Sequence, residues 1–436
     1  MQLGGAKPVD MILHPFEECP TAFVPRCLYN GQYGTANNLN YSQIALLMKR
    51  KEKLHIFYPD QPERKVSLDL TDSRLQTPQR RLTVCAPPIE HYATWTVLPR
   101  SFYTTAAIQH FFNKQSQKQM WINHGATKFI FYQQTFSKEV DALIRMYEHD
   151  KTIEIERVPW GIIPLPENTP EEEDPNKQVY RAEQVLAWND CILRSRGKTE
   201  YLALADFDEV FVLYNNQSFL SFLDSLLEKE PNAGSFSFLS ATAFMQVTNQ
   251  VFNQHTYSNA TNPSQIQFDD HYEIQVENQV FPHGSMSKVV VIPERIKSEI
   301  VHESLSMEKP FTKHVVDPKV GKILHLRLER LMYDMTDLHV PTTVVARYVP
   351  AWSRRYKEVL NKEMERLRNS TSIAGLTLKT QQWKNNGIEA MKELTSCFDA
   401  LWNEDKVCPT RHRCLARLQT MKYNEWVSGG SNWAVL

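Results

Sequence analysis

The chain has 436 residues, with 49 basic side chains against 50 acidic ones and a formal net charge of −1. Hydrophobic residues make up 42% and aromatics 11%, enough for a sizeable core, which excludes wholesale disorder. The balanced charge argues against a nucleic-acid binder, which carries a basic excess or stripe, and no apolar run approaches the ~18 residues of a bilayer span. Met1 to Pro15 holds no apolar signal core. A prior of about 150 residues per domain predicts two or three domains in a soluble globular protein.

Residues 1–80 read as a β-rich N-terminal accessory region. Leu54 to Tyr58 is a strand-like run ended by Pro59, and Val66 to Leu70 alternates with period two. The polar stretch from Asp72 to Arg81 reads as a linker. Residues 81–330 alternate strands and helices. Leu82 to Cys85 is a short strand closed by Pro87 and Pro88. Phe102 to Asn123 is helix-like, and Lys128 to Tyr132 is a buried strand. Ser137 is an N-cap for a helix from Lys138 to Asp150, with Val140, Leu143, Ile144 and Tyr147 on one stripe. Thr152 to Val158 is a further strand, and Glu171 to Asp174 an exposed acidic loop. A helix from Tyr180 to Arg196 precedes the apolar strand Tyr201 to Ala205. This βαβ rhythm implies a mainly parallel or mixed sheet covered by helices. Residues 331–436 form a helical C-terminal region, with helices from Trp352 to Leu367 and from Ile388 to Trp402, then a Trp-rich tail.

The seven cysteines show no CxxC spacing, so a zinc ribbon or thioredoxin-like site is not supported. Cys408 and Cys414 flank a loop that a disulfide could close, while Cys191, beside Trp188 on a helix, reads as a buried thiol. Sequons at Asn40, Asn216, Asn259 and Asn369 fit an oxidising secretory lumen without proving it.

The sharpest chemical feature is the run Asp206-Phe207-Asp208-Glu209, directly after an apolar strand. In extended geometry Asp206 and Asp208 point to one side and repel each other unless a cation sits between them. Mg²⁺ or Mn²⁺ suits such oxygen donors and leaves positions open for phosphates. Open α/β sheets bind ligands just beyond the carboxyl ends of their strands. A solvated acidic turn is the plainer alternative for an isolated DxD. Two chemistries use the pattern: a metal site for a nucleotide-sugar diphosphate, and a phosphatase of the haloacid dehalogenase type with Asp206 as nucleophile. The phosphatase needs a lysine and then an acidic pair, whereas here Asp269-Asp270 precedes Lys288. A non-catalytic glycan-binding protein is a third reading.

The run Gln184 to Cys191, with Asn189-Asp190-Cys191, then the strand and the Asp206 to Glu209 turn, resembles glycosyltransferase family 92 (domain of unknown function 23). Lys288 with its apolar strand, Pro293, His302 and the His325-Leu326-Arg327 element extend the likeness, with Leu326 replacing the family's usual aromatic. The resemblance covers about residues 80–330. It implies a GT-A-like α/β fold and metal-dependent transfer of galactose from UDP-galactose to a glycan on a glycoprotein or glycolipid. It also implies a type II membrane protein of the Golgi, although no anchor is seen in this sequence.

Within that frame Asp208, with Asp206, His325 and His302, is the expected Mn²⁺ (or Mg²⁺) set, since a neutral imidazole is a reasonable extra ligand. Asp206 is also a candidate for the ribose and Lys288 for a phosphate, with a solvated strand-edge lysine as the alternative. Should the reaction invert, a carboxylate must deprotonate the acceptor hydroxyl, and Asp270 and Glu273 are the candidates. Glu209 is expected to hold a ligand's orientation, and Gln184, Asn189 and Asp190 to brace their helix against the metal loop. Trp160 could stack on a sugar, but a core tryptophan is the plainer reading.

Overall fold

A computed structural model describes residues 1–3, 8–15, 26–36, 41–69, 79–93, 121, 124–215, 217–245, 260–266, 268, 274–327, 339–346, 349–380, 382–384, 386–404, 406–417, 422 and 424–430. The segment expected to be helical from Phe102 to Asn123 lies almost wholly outside them, as do Cys19, Asp269, Asp270 and Glu273.

The N-terminal region is β-rich, as its alternation predicts. β1 (Gln2–Leu3) pairs with β4 (Leu54–Tyr58), which pairs with β5 (Gln61–Leu68); β2 (Ile12–Pro15) and β3 (Gln32–Thr35) form a separate hairpin, and α1 spans Tyr41–Lys49.

The core begins with β6 (Arg80–Ile89), β7 (Ala126–Gln133), β8 (Thr135–Ser137), α2 (Lys138–Glu148) and β9 (Glu154–Pro159). β6 starts inside the stretch expected to be a linker and runs through Pro87 and Pro88 rather than stopping at them. Its register against β7 shifts between Ala86 and Ile89, and such irregularities are where a strand tolerates proline's missing donor. The Ser137 Oγ accepts from the Val140 N–H at 3.3 Å and caps α2. The stripe Val140, Leu143, Ile144 and Tyr147 is fully buried, at roughly 1.5–3 kcal/mol per large apolar side chain. Glu139 and Asp141 in the first turn complement the positive end of the helix dipole.

α3 (Gln184–Ser195) and β10 (Thr199–Leu204) follow. Tyr201, Leu202, Ala203 and Leu204 are all buried, as befits a strand covered on both faces. Next come β11 (Glu209–Leu213), α4 (Phe219–Lys229), β12 (Ala233–Phe238), β13 (Ser240–Met245), β14 (Ile274–Glu277), β15 (Lys288–Val291), β16 (Ile296–Glu299), β17 (Ser304–Met307), β18 (Thr312–Val315), β19 (Gly321–Arg327) and β20 (His339–Thr342). A seven-stranded mixed sheet has the order β18-β12-β15-β10-β6-β7-β9, and a five-stranded sheet the order β11-β19-β13-β14-β20. β10, β6, β7 and β9 run parallel, while β15 enters antiparallel between β10 and β12. The molecule is thus α/β and GT-A-like.

The C-terminal region contributes α5 (Val349–Arg366), α6 (Ile373–Lys379), α7 (Gly387–Trp402) and β21 (Trp426–Ser428). β21 pairs with β8 in a separate two-stranded sheet, beside the start of α2. Gly429 comes so close to the Gln133 carbonyl that a Cβ there would collide with it.

The cysteines pair differently from expectation. Cys408 joins Cys27 across 381 residues, Cys414 joins Cys397, and Cys191 joins Cys85 instead of standing as a buried thiol. Closeness in sequence does not set Cα placement, and only the fold brings the partners together.

Candidate functional site

The chain leaves the large sheet at the end of β10 and enters the small sheet at β11. The residues that make this switch are Ala205 to Asp208. Because Phe207 and Asp208 form a turn, the two aspartates do not share one side as an extended strand would require. They go to different partners.

Asp206 turns to Lys288. As β15 runs antiparallel to β10, with Leu204 opposite Val289, its first residue lies at the carboxyl end of β10. Lys288 Nζ stands 3.0 Å from Asp206 Oδ2 and 2.9 Å from Glu209 Oε1. Glu209 also accepts from the Asp206 backbone N–H through Oε2 at 3.0 Å, fastening the turn. The Lys288 side chain is 2% exposed. Burial works against its charge, but Asp206 and Glu209 together more than offset that and raise its pKa. The lysine therefore stays a cation, shared by two protein carboxylates.

Asp208 turns to His325. Glu209 lies opposite His325 in the β11–β19 ladder, and the Leu326 N–H donates to the Asp208 carbonyl at 2.7 Å. This register brings His325 Nε2 to 3.1 Å from Asp208 Oδ2. His302, in the loop between β16 and β17, donates through Nδ1 to the Ser287 carbonyl at 3.2 Å, and so contacts the residue before Lys288.

Among the described residues no group of three or more His, Cys, Asp or Glu side chains converges to hold a metal ion. The six described residues expected or implied at the site thus form two clusters, Asp206–Lys288–Glu209 and Asp208–His325, with His302 attached behind the first. The second cluster fits a divalent cation. Two donors on neighbouring octahedral positions, with bonds of about 2.1 Å, stand roughly 3 Å apart, which matches the Asp208–His325 pair. Hard divalent ions that act on phosphates commonly take one or two protein ligands and complete their shell with water and phosphate oxygens.

The helix motif braces α3 against neighbouring strands and not against the Asp206 to Glu209 turn. Asn189 bonds both backbone groups of Glu299, accepting from its N–H at 2.9 Å and donating to its carbonyl at 2.8 Å, and so ties α3 to β16. Asp190 accepts from the Tyr132 hydroxyl and from Arg194. Their side chains face the neighbouring strands because α3 packs across β6 and β16, away from the turn. Trp160 packs edge-on against Tyr132 at 4.9 Å, beside the cluster built on Trp188 and Ile192. The sequence reading passed over Tyr92, whose ring lies 5.8 Å from that of Phe207. The signal available was its place just past the carboxyl end of a parallel strand.

The family model of glycosyltransferase family 92 matches residues 109–373. Two Caenorhabditis elegans proteins bearing that family's name are similar to the chain. One is 20% identical over 304 residues, covering 66% of this chain and 55% of its own length. The other is 22% identical over 189 residues, covering 43% of this chain and 33% of its own length. The chain therefore spans about half the length of the first and a third of the second. A solved structure of apo UDP-glucose pyrophosphorylase overlaps 64% of this chain and 99% of that one at a TM-score of 0.20 and 10% identity, too weakly to carry any argument.

Proposed function

The chain belongs to glycosyltransferase family 92, and we propose that it transfers a sugar, galactose from UDP-galactose, to a glycan acceptor using Mn²⁺ or Mg²⁺. The observation that carries this reading is the Asp208–His325 pair at 3.1 Å, set at the carboxyl end of the central strand. Asp208 and His325 would hold the cation, which when bound supplies Lewis acidity to a departing diphosphate. Lys288 and Glu209 fix the turn that presents Asp208. Asp206, half of whose carboxylate faces Lys288, contributes to that fixing and is the candidate for the ribose.

Inversion at the sugar requires a carboxylate base. Asp270 and Glu273 precede β14 directly in sequence and remain the residues to substitute first. Three disulfides support an oxidising compartment such as the Golgi or secretory lumen. No helix among the described residues is long and apolar enough to cross a membrane.

The test is hydrolysis and transfer across a panel of UDP-sugars, with Mn²⁺ and with EDTA. Metal-dependent turnover of UDP-galactose above the other donors is expected. Turnover of no donor in a metal-dependent way would defeat the proposal.

A further inference from the structure

We infer that Asn369 is a modification site, the acceptor of an N-linked oligosaccharide on the surface turn between α5 and α6. This rests on the reading of the compartment as a secretory lumen. The run Asn369-Ser370-Thr371 is an acceptor sequon, with a residue other than proline in its middle place. The asparagines of the other sequons, Asn40, Asn216 and Asn259, lie outside the described residues. Asn369 is therefore the acceptor whose surroundings the fold displays.

A glycan is bulky and hydrated, so the asparagine that bears it must stand clear of the core. α5 ends at Arg366 and α6 begins at Ile373. Leu367 is still buried, but Asn369 and Thr371 are both exposed. The turn between them is fixed by other groups. The Ser370 N–H donates to the Leu367 carbonyl at 2.8 Å. The Lys379 ammonium donates to the carbonyls of Arg368 and Ser370, on either side of Asn369, at 3.0 Å each. The Ser370 and Ser372 hydroxyls bond each other at 2.9 Å, and Ser372 Oγ accepts from the Gly375 N–H at 3.1 Å to cap α6. None of these bonds uses the Asn369 amide, so a sugar attached to it displaces none of them.

A separate set of residues supports the compartment in which this chemistry occurs. The disulfides Cys27–Cys408, Cys85–Cys191 and Cys397–Cys414 suit an oxidising lumen, and none of them involves the turn. The step is a group transfer with a lipid diphosphate-linked oligosaccharide as co-reactant. Asn369 Nδ2 forms a bond to the anomeric carbon of the first sugar, and the bond from that carbon to the diphosphate oxygen breaks. The amide gives one of its protons to a base of the transferring enzyme, and the lipid diphosphate leaves.

The experiment uses the full chain isolated from the eukaryotic cells that make it, with free thiols alkylated at lysis. Peptide:N-glycosidase in heavy-oxygen water converts a glycosylated asparagine to a labelled aspartate, which mass spectrometry of the peptide detects. The label is expected at position 369. Asn369→Gln and Thr371→Ala remove the sequon through different residues, and each should migrate faster than wild type by the mass of one glycan. Thr371→Ser keeps the sequon and should migrate as wild type does. An unlabelled Asn369 in a chain whose disulfides resist alkylation would overturn the inference alone. An unlabelled Asn369 together with alkylated Cys27, Cys397, Cys408 and Cys414 would overturn both the inference and the compartment it rests on.

Discussion

The two halves of the site use the same side chain for opposite ends. Asp206 and Asp208 are two residues apart, yet one faces a buried lysine and the other a histidine at the rim. Asp206 is 27% exposed and shares Lys288 with Glu209, which is fully buried. Asp208 is 42% exposed, and its partner His325 is 9% exposed. In the first half one buried ammonium is shared by two carboxylates. In the second a half-exposed carboxylate meets a largely buried imidazole, the pair proposed to take the cation. This DxD pattern is therefore two unequal aspartates, one held to a buried lysine and one to a histidine.

The closed half breaks most visibly at its cation. Lys288→Ala would leave Glu209 buried without its counter-charge, and losing one partner of a buried pair costs about 3–5 kcal/mol. Urea unfolding should show that loss. The double substitution Lys288→Met with Glu209→Gln removes both charges and should recover a large part of it. A Lys288→Ala protein as stable as wild type would mean that the lysine is not an internal cation but belongs to the open half.

The open half should respond in binding instead of stability. Asp208→Asn keeps size and polarity but removes the charge that a divalent ion needs. Mn²⁺-dependent UDP affinity should fall about 100-fold, an effect of a few kcal/mol typical of lost Lewis-acid or ligand interactions. The melting temperature should stay close to wild type. Asp206→Asn should show the reverse balance, with the larger effect on stability. Equal binding losses in both variants would erase the distinction between the halves.

Much of this organisation was legible in the residues, because local patterns carry it. The α2 stripe and its Ser137 cap and the buried strand before Asp206 follow from period and composition, while the later order of lysine, strand and histidine comes from the family resemblance. What the sequence could not reveal is strand direction. Lys288 reads as a strand-edge lysine until β15 is known to run against β10, which is what turns its ammonium toward Asp206. The same holds for His325, placed by the β11–β19 register, and for Cys27 and Cys408, joined only through the docking of the C-terminal region. Pro87 and Pro88 misled in the other direction. Their usual power to end a strand was overridden by an irregularity in the ladder.

A second buried glutamate supplies the smallest and most particular test of the closed half. Glu299 is as inaccessible as Glu209, but among the described residues no ion pair joins it to a lysine. Burial raises its pKa to about 8; Ser304 opposes that, Glu303 adds to it, and Lys313 opposes it more weakly. The folded chain thus holds a proton there at pH 7, while the unfolded chain, with a glutamate near the ordinary value, does not. Stability from this group is complete below the unfolded pKa, declines as pH rises through the interval up to about 8, and levels off above it. The slope across that window is on the order of 1 kcal/mol per pH unit. Glu299→Gln preserves the shape and the neutral form, so the variant's unfolding free energy should lose this decline and exceed wild type at pH 8. Urea titrations at pH 5, 6, 7 and 8 measure it. Parallel pH profiles for the two proteins would mean that Glu299 is ionised in the fold, and that a buried carboxylate here needs no lysine of the kind Glu209 has.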